Sequence, residues 1–209
     1  MERVHRIMFG DEDKTDEVIG IVLQTGIKGE IIHRFSILII LQIYALFMSR
    51  TESTFKISDE ILHLEGLSLR GKSNTKSPSI FKRKPYLRGL WHKHYIGSGV
   101  SDMVKNLQIA LYNYGLPDLD DKNSRADEER HITTEDISRI VHEAVIGNYL
   151  RRSHDSKLTG HWIIYAIHNG ENFYLSLGHH TDDESEIRRQ IDSVCIPEFP
   201  FLADILHKI

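Results

Sequence analysis

Apolar residues change their period along this chain. Up to residue 65 they recur at helical spacing. Asp16–Gln24 is a short apolar patch broken by Gly26 and Gly29. Glu30–Arg50 reads as a long helix, and its centre, Phe35 to Met48 (FSILIILQIYALFM), is apolar nearly all round. A helix with no polar face has to be covered by something. Ser58, ahead of Ile61, Leu62 and Leu64, predicts a short third helix with Ser58 as N-cap. From Gly66 to Pro85 small and polar residues crowd together (Gly71, Ser73, Asn74, Thr75, Ser77, Pro78, Ser79), which predicts a flexible linker. Helical spacing returns over Asp102–Tyr114, at Val104, Leu107, Ala110, Leu111 and Tyr114, and is closed by Gly115 and Pro117. A polar, acidic loop at 118–131 follows. Thr133-Thr134-Glu135-Asp136 is a capping box ahead of Ile137, Ile140, Val141, Ala144 and Val145. That helix is expected to end near Arg151-Arg152, whose charge suits a C-terminus.

The period then becomes two. His161–His168 and Glu171–Gly178 flank Asn169-Gly170, the signature of a type I′ hairpin. A two-residue loop sets His168 opposite Glu171, Ala166 opposite Phe173, Ile164 opposite Leu175 and Trp162 opposite Leu177. The last six share one apolar face, the expected core. The other face carries His161, Ile163, Tyr165, Ile167, Tyr174 and Ser176, with His180 beyond the strand end. Chemistry is expected on that mixed face. Asp182–Val194 resumes helical spacing until Pro197 and Pro200, and a small helix closes the chain. The pattern predicts an α+β protein. Residues 1–65 form a helical N-terminal part, 66–85 a basic flexible linker, and 86–209 a domain of helices packed on a small antiparallel sheet. Phe81–Tyr95 is expected to add strand, with Pro85 favouring an edge.

Composition adds little until it is divided along the chain. Apolar content is 40 %, charged content 27 % and mean hydropathy -0.32, ordinary values for a globular protein. The net charge of -4 hides a segment, Gly66 to Ser101, with no Asp or Glu. It holds Arg70, Lys72, Lys76, Lys82, Arg83, Lys84, Arg88 and Lys93, whereas 118–136 and 182–186 are acidic. The overall charge argues against indiscriminate coating of DNA, but the local patch suits RNA or another polyanion. Walker loop, dinucleotide fingerprint, CxxC and HExxH are all missing. The single cysteine, Cys195, excludes an intrachain disulfide; it fits a reducing, cytoplasmic setting and reads as a packed thiol. No leader is evident at Met1–Asp16. Phe35–Met48 falls short of the roughly 20 residues a membrane span needs, so membrane contact is not expected. A second copy or a neutralising partner is the expected cover for that helix.

The basic run ends in Arg88-Gly89-Leu90-Trp91-His92-Lys93-His94-Tyr95. Metal-free RNA cleavage needs a base for the 2′-OH, an acid for the leaving oxygen and a cation for the phosphorane. His92 or His94 is expected as base, His161 or His180 as acid, Lys93 as the cation and Tyr174 as the group that positions the phosphate. Histidine suits the task because it titrates near neutrality. Phe81, Tyr86, Trp91 and Tyr95 are candidates to stack on bases while Lys82, Arg83, Lys84 and Arg88 meet phosphates. Trp91 serves equally well as a core anchor. Other readings stay open. His92-x-His94 places two rings on one side of a strand, and His179, His180, Asp182 and Asp183 could complete a metal site. Those acids also sit where a helix start needs caps, so no metal or other cofactor is expected. Gly97-Ser98-Gly99 could bring backbone N–H groups to an anion or simply turn the chain. The same surface could bind nucleic acid without cutting it, or the Phe35–Met48 helix could be the business end of an interaction protein.

From about Tyr86 onward the chain resembles small endoribonuclease toxin domains of the barnase–EndoU–colicin–RelE group. In them helices precede an antiparallel sheet whose open face carries the catalytic side chains. The matching residues are His92, Lys93, His94, Thr159, His161, Tyr174 and His180. The resemblance implies RNA cleavage, a toxin–antitoxin or phage-defence setting, and an antitoxin partner.

Overall fold

The structure, a computed structural model, describes residues 4–69, 71–115 and 134–206. A small hairpin, β1 (Met8–Phe9) and β2 (Glu12–Asp13), leads into α1 (Thr15–Gln24). A 3-10 turn (Gly29–Arg34), α2 (Ile37–Ser49) and α3 (Thr54–Leu64) follow. Next come β3 (Ser79–Ile80), β4 (Trp91–Tyr95) and α4 (Val100–Tyr114). Then α5 (Thr134–His142) runs through a π-helical turn into α6 (Asn148–His154). β5 (His161–His168) and β6 (Glu171–Gly178) form the predicted hairpin. The chain closes with α7 (Glu184–Gln190), a second π-helical turn (Ile191–Cys195), α8 (Ile196–Glu198) and α9 (Leu202–Ile205). The fold is α+β, as expected. Its main sheet is antiparallel in the order β3-β4-β5-β6. The acidic loop 118–131, Pro117 and Thr133 of the capping box lie outside the described residues.

Short polar residues set the helix starts. Ser36 reads in sequence as an interruption of the apolar run. It is the N-cap of α2, its Oγ accepting from Ile39 N–H at 3.2 Å and donating to Leu175 C=O at 2.7 Å. The helix therefore begins at Ile37, behind a 3-10 turn, and not at Glu30. Likewise α3 begins at Thr54, so Ser58 is not its cap. The Ser58 hydroxyl bonds Thr54 C=O and Thr25 Oγ1 inside the core.

The Asn169-Gly170 turn has both residues at positive φ, 51° and 82°, as type I′ requires. His168↔Glu171 and Ala166↔Phe173 pair as predicted, but a β-bulge follows Tyr165↔Tyr174. Beyond it Ile164 meets Ser176 and Trp162 meets Gly178, in place of Leu175 and Leu177. The bulge reverses which side each later residue of β6 faces.

Both faces of the sheet are covered, which corrects the expectation of an open mixed face. Ile163, Tyr165, Tyr174, Leu177 and Tyr95 share a core with Phe35, Ile39, Ile40, Ile57 and Ile61 of the N-terminal helices. On the opposite face Trp162, Ile164, Ala166 and Leu175 pack with Leu87, Leu90, Ile187, Ile191, Cys195 and Leu202. The cover that Phe35–Met48 needs thus comes largely from the chain itself, and Ile37, Ile39, Ile40 and Ile43 are at most 4 % exposed. No helix among the described residues is long and apolar enough to cross a membrane. The segment 66–85, expected as linker, contributes β3 and a bridge from Thr75 to Leu158. Pro85 lies between β3 and β4, where it breaks no ladder, and β4 is an inner strand.

Candidate functional site

Five histidines lie in or next to the strands near the sheet edge where β4 and β6 end and β5 begins, and strand alternation divides them between the two faces. His94 pairs across the ladder with Trp162, and His92 with Ile164. Their rings join that face, 5.3 Å apart. His180, carried past the bulge, lies 5.5 Å from His94 and 4.5 Å from the Trp162 ring. His92 stacks on Phe81 at 4.2 Å. His94 Nδ1 lies 3.0 Å from Gly160 C=O. Gly160 N–H also faces Nδ1, at 3.4 Å; the shorter carbonyl contact needs a proton on Nδ1, the tautomer that leaves the Nε2 lone pair available.

The other face holds His161 and His179, with ring centroids 4.0 Å apart. Each has a carboxylate. His161 Nε2 is 3.5 Å from Asp102 Oδ2, and His179 Nδ1 is 3.5 Å from Asp182 Oδ1. Asp102 is buried and also accepts from Gly97 N–H at 2.8 Å. A Cβ at residue 97 would fall 2.6 Å from His161 Nε2 and 2.8 Å from Asp102 Oδ2, so this pair closes directly onto backbone that only glycine allows. Ser98 N–H is taken by Glu52. The Gly97 and Ser98 amides therefore serve internal carboxylates and not an external anion.

The two sides differ electrostatically. Burial, reinforced by neighbouring His92, His180 and Lys76, drives His94 down to about 3. Burial, His180, Lys76 and Lys84 take His92 to about 4. Desolvation with Lys105, Lys84 and His161 does the same for His180. Burial first, and then nearby lysines, favour the neutral form of all three. Burial and His179 also lower His161, but there Asp102, Glu52 and Asp182 pull the other way.

Of the expected catalytic residues, His92, His94 and His180 converge, while His161 sits around the strand end. Lys93 and Tyr174 do not join them. Lys93 alternates with the two histidines, so it points to the opposite face and is 3 % exposed. Its ammonium lies 3.1 Å from Glu60 and donates to Thr75 Oγ1, Ser73 Oγ and Lys76 C=O at 2.6–2.9 Å. Tyr174 is fully buried and donates to Glu65, which also holds Arg34. Burial and Glu65 push its phenol far up. Tyr95 is 1 % exposed and Trp91 packs towards Tyr165, so neither of these two expected stacking residues is on the face of His92, His94 and His180; Tyr95 lies edge-on to His161 at 5.4 Å. Lys82, Arg83 and Arg88 are exposed. Lys84 lies 4.8 Å above the Trp162 ring and pairs with Glu184. Among the described residues no group of three or more His, Cys, Asp or Glu is arranged to hold a metal.

The sequence reading did not single out Asp102, took Gly97 for part of a backbone anion nest or a turn, and placed His180 where His179 stands. A single bulged residue exchanges the two histidines, and period-two spacing carries no sign of it. Comparison of the chain with protein-family models, curated proteins and solved structures found no match.

Proposed function

We propose that this protein cleaves RNA by histidine acid–base chemistry that needs no metal. The observation that carries this is a pair of histidine groups about one sheet end: His92, His94 and His180 on one face, and His161 with His179, beside carboxylates, on the other. Groups of one type whose surroundings separate their proton affinities are suited to act as an acid and a base. His94 is the base: neutral, with Nε2 free to take the 2′-OH proton. His161 is the acid: burial and His179 lower its proton affinity, so it gives up a proton readily, and Asp102 at 3.5 Å offsets part of that and can hold the imidazolium that protonates the leaving 5′-oxygen. His179, 3.5 Å from Asp182, stands next to it. Lys76, Lys84 and Lys105, the ammonium groups that depress the first three histidines, take the phosphorane-stabilising role. Bound phosphate counters those ammonium groups and raises the proton affinity of His94, strengthening the base where it is used.

The test is incubation of a mixed-sequence single-stranded RNA with the protein in EDTA. Cleavage is expected to survive chelation. His94→Ala and His161→Ala should each lower it by about 10²- to 10⁴-fold, the usual worth of a general acid or base. A 2′-deoxy substitution at the cut site should abolish it. RNA binding without cutting by the parent protein would instead support a non-catalytic binding module. Cleavage that stops with EDTA would defeat the metal-free mechanism.

A further inference from the structure

We infer that the cleft between α3 and residues 72–75 is a nucleotide subsite, which holds a base and sugar next to the phosphate that is cut. This deepens the ribonuclease reading and rests on it. The cleft encloses about 700 Å³, a volume suited to a mononucleotide. Its lining includes Phe55, Lys56, Lys72, Asn74, Tyr149 and Ser153.

Four observations favour a nucleotide over other occupants. First, Phe55 stands at the cleft 61 % exposed, on a helix whose other apolar residues are mostly turned inward. An exposed ring beside a polar cleft offers a stacking platform that any base can use. Second, the polar groups are of the kinds that base edges and sugars need. Asn74 is exposed and its amide both donates and accepts, as base edges do. Ser153 adds a hydroxyl. Tyr149 stays a phenol, pushed up by burial and by Asp102. Third, the charge suits a phosphate. Lys56 and Lys72 are exposed at the cleft, and of the two carboxylates in the lining, Glu60 is already engaged by Lys93, Ser73 and Thr75. Asp59 is the other carboxylate of the lining.

The fourth observation is position. Lys56 Nζ donates to Gly97 C=O at 3.3 Å, and the N–H of the same residue donates to Asp102, the partner of His161. Gly97 is therefore shared between the cleft and the proposed acid. The far wall is held in advance: the Lys93 ammonium ties Ser73, Thr75 and Lys76 to β4 and to Glu60 of α3. A cleft pre-formed in this way binds without first ordering its own wall.

The experiment separates this subsite from the cleavage reaction. The full-length His94→Ala protein is titrated with AMP, GMP, CMP, UMP and inorganic phosphate by calorimetry. At least one mononucleotide should bind more tightly than phosphate. Adding Phe55→Ala or Lys72→Ala should weaken that binding by about 5- to 30-fold, the worth of a stacked base or a phosphate contact. Both residues are exposed, so an unchanged melting temperature is expected to show that the variants fold. In the otherwise unaltered enzyme the same substitutions should raise KM more than they lower kcat. Mononucleotide binding that neither substitution weakens would overturn the subsite, as would phosphate binding as tight as any nucleotide. If RNA is not cut but the titration behaves as described, the ribonuclease reading fails and the nucleotide site stands.

Discussion

His94 is a base that the fold keeps unprotonated. It is 6 % exposed, and its Nδ1 lies against the Gly160 backbone, closer to the carbonyl than to the N–H. Unfolded, its imidazole takes a proton near 6.5; folded, it does so near 3. Between those limits the unfolded chain binds more protons, so stability falls as pH drops below about 6.5 and has no such dependence above it. Each pH unit in that window costs about 1.4 kcal/mol for this one residue. Ordinary carboxylates begin to contribute only near pH 4.5, which leaves pH 6.5 to 5 to the histidines. His94→Gln, which keeps a donor for Gly160, should flatten the loss of urea-unfolding stability between pH 6.5 and 5. Parallel curves for parent and variant would show that His94 is protonated in the folded protein. At this scale the sequence was readable in part. The HKH triplet marked the place, and alternation alone already implied that Lys93 turns away from its two neighbours. What no spacing rule supplies is a partner from far along the chain, such as Asp102 for His161 or Gly160 for His94.

Lys93 shows what that alternation produces among elements. Its ammonium connects β4, α3 and the 73–76 segment through Glu60, Thr75, Ser73 and Lys76. Burial lowers its proton affinity and Glu60 raises it again, the balance of a buried ion pair that is compensated by hydrogen bonds. Removing one partner leaves the other charge buried and alone. Lys93→Met is therefore expected to destabilise the protein by about 3–5 kcal/mol in urea unfolding. Lys93→Met with Glu60→Leu should regain much of that loss. A catalytic Lys93 would give the reverse pattern, with little change in stability and a collapse of kcat. The elements themselves were largely legible: α4 and the hairpin lie where periodicity placed them, and the turn residues predicted their own geometry. The misplacements have one kind of cause. Ser58 reads as a cap and Ser36 as an interruption of an apolar run, but the structure reverses them: Ser36 caps α2 with Leu175 C=O as a further partner, and Ser58 bonds Thr25 inside the core. The bulge in β6 is likewise a packing solution, in which Gly178 makes room beside Trp162, Ile164 and Ile187.

At the scale of the whole molecule, the N-terminal helices complete the sheet. Composition correctly marked 66–85 as rich in turn formers, but it could not tell whether such a segment is pinned; Thr75, 3 % exposed and bonded to Glu60 and His94 C=O, is. Residues 1–65 cover Tyr95, Ile163, Tyr165, Tyr174 and Leu177, each at most 7 % exposed. Burying one such side chain is worth about 1.5–3 kcal/mol, so the five together rival the roughly 5–15 kcal/mol by which a domain is stable at all. Polar bonds cross the same boundary. Ser36 caps onto Leu175, Gln42 accepts from Leu177 N–H at 2.7 Å, and Glu65 accepts from Tyr174 at 2.6 Å. A fragment of residues 66–209 would expose that apolar face and strand those polar groups. It is expected to lack a cooperative thermal transition, to lose near-ultraviolet dichroism from its buried tyrosines, and to bind a hydrophobic dye. The full chain under the same conditions should melt in one step. A fragment that unfolds cooperatively with native-like dichroism would mean that the sheet and its C-terminal helices are stable by themselves, and that the first 65 residues are an added layer.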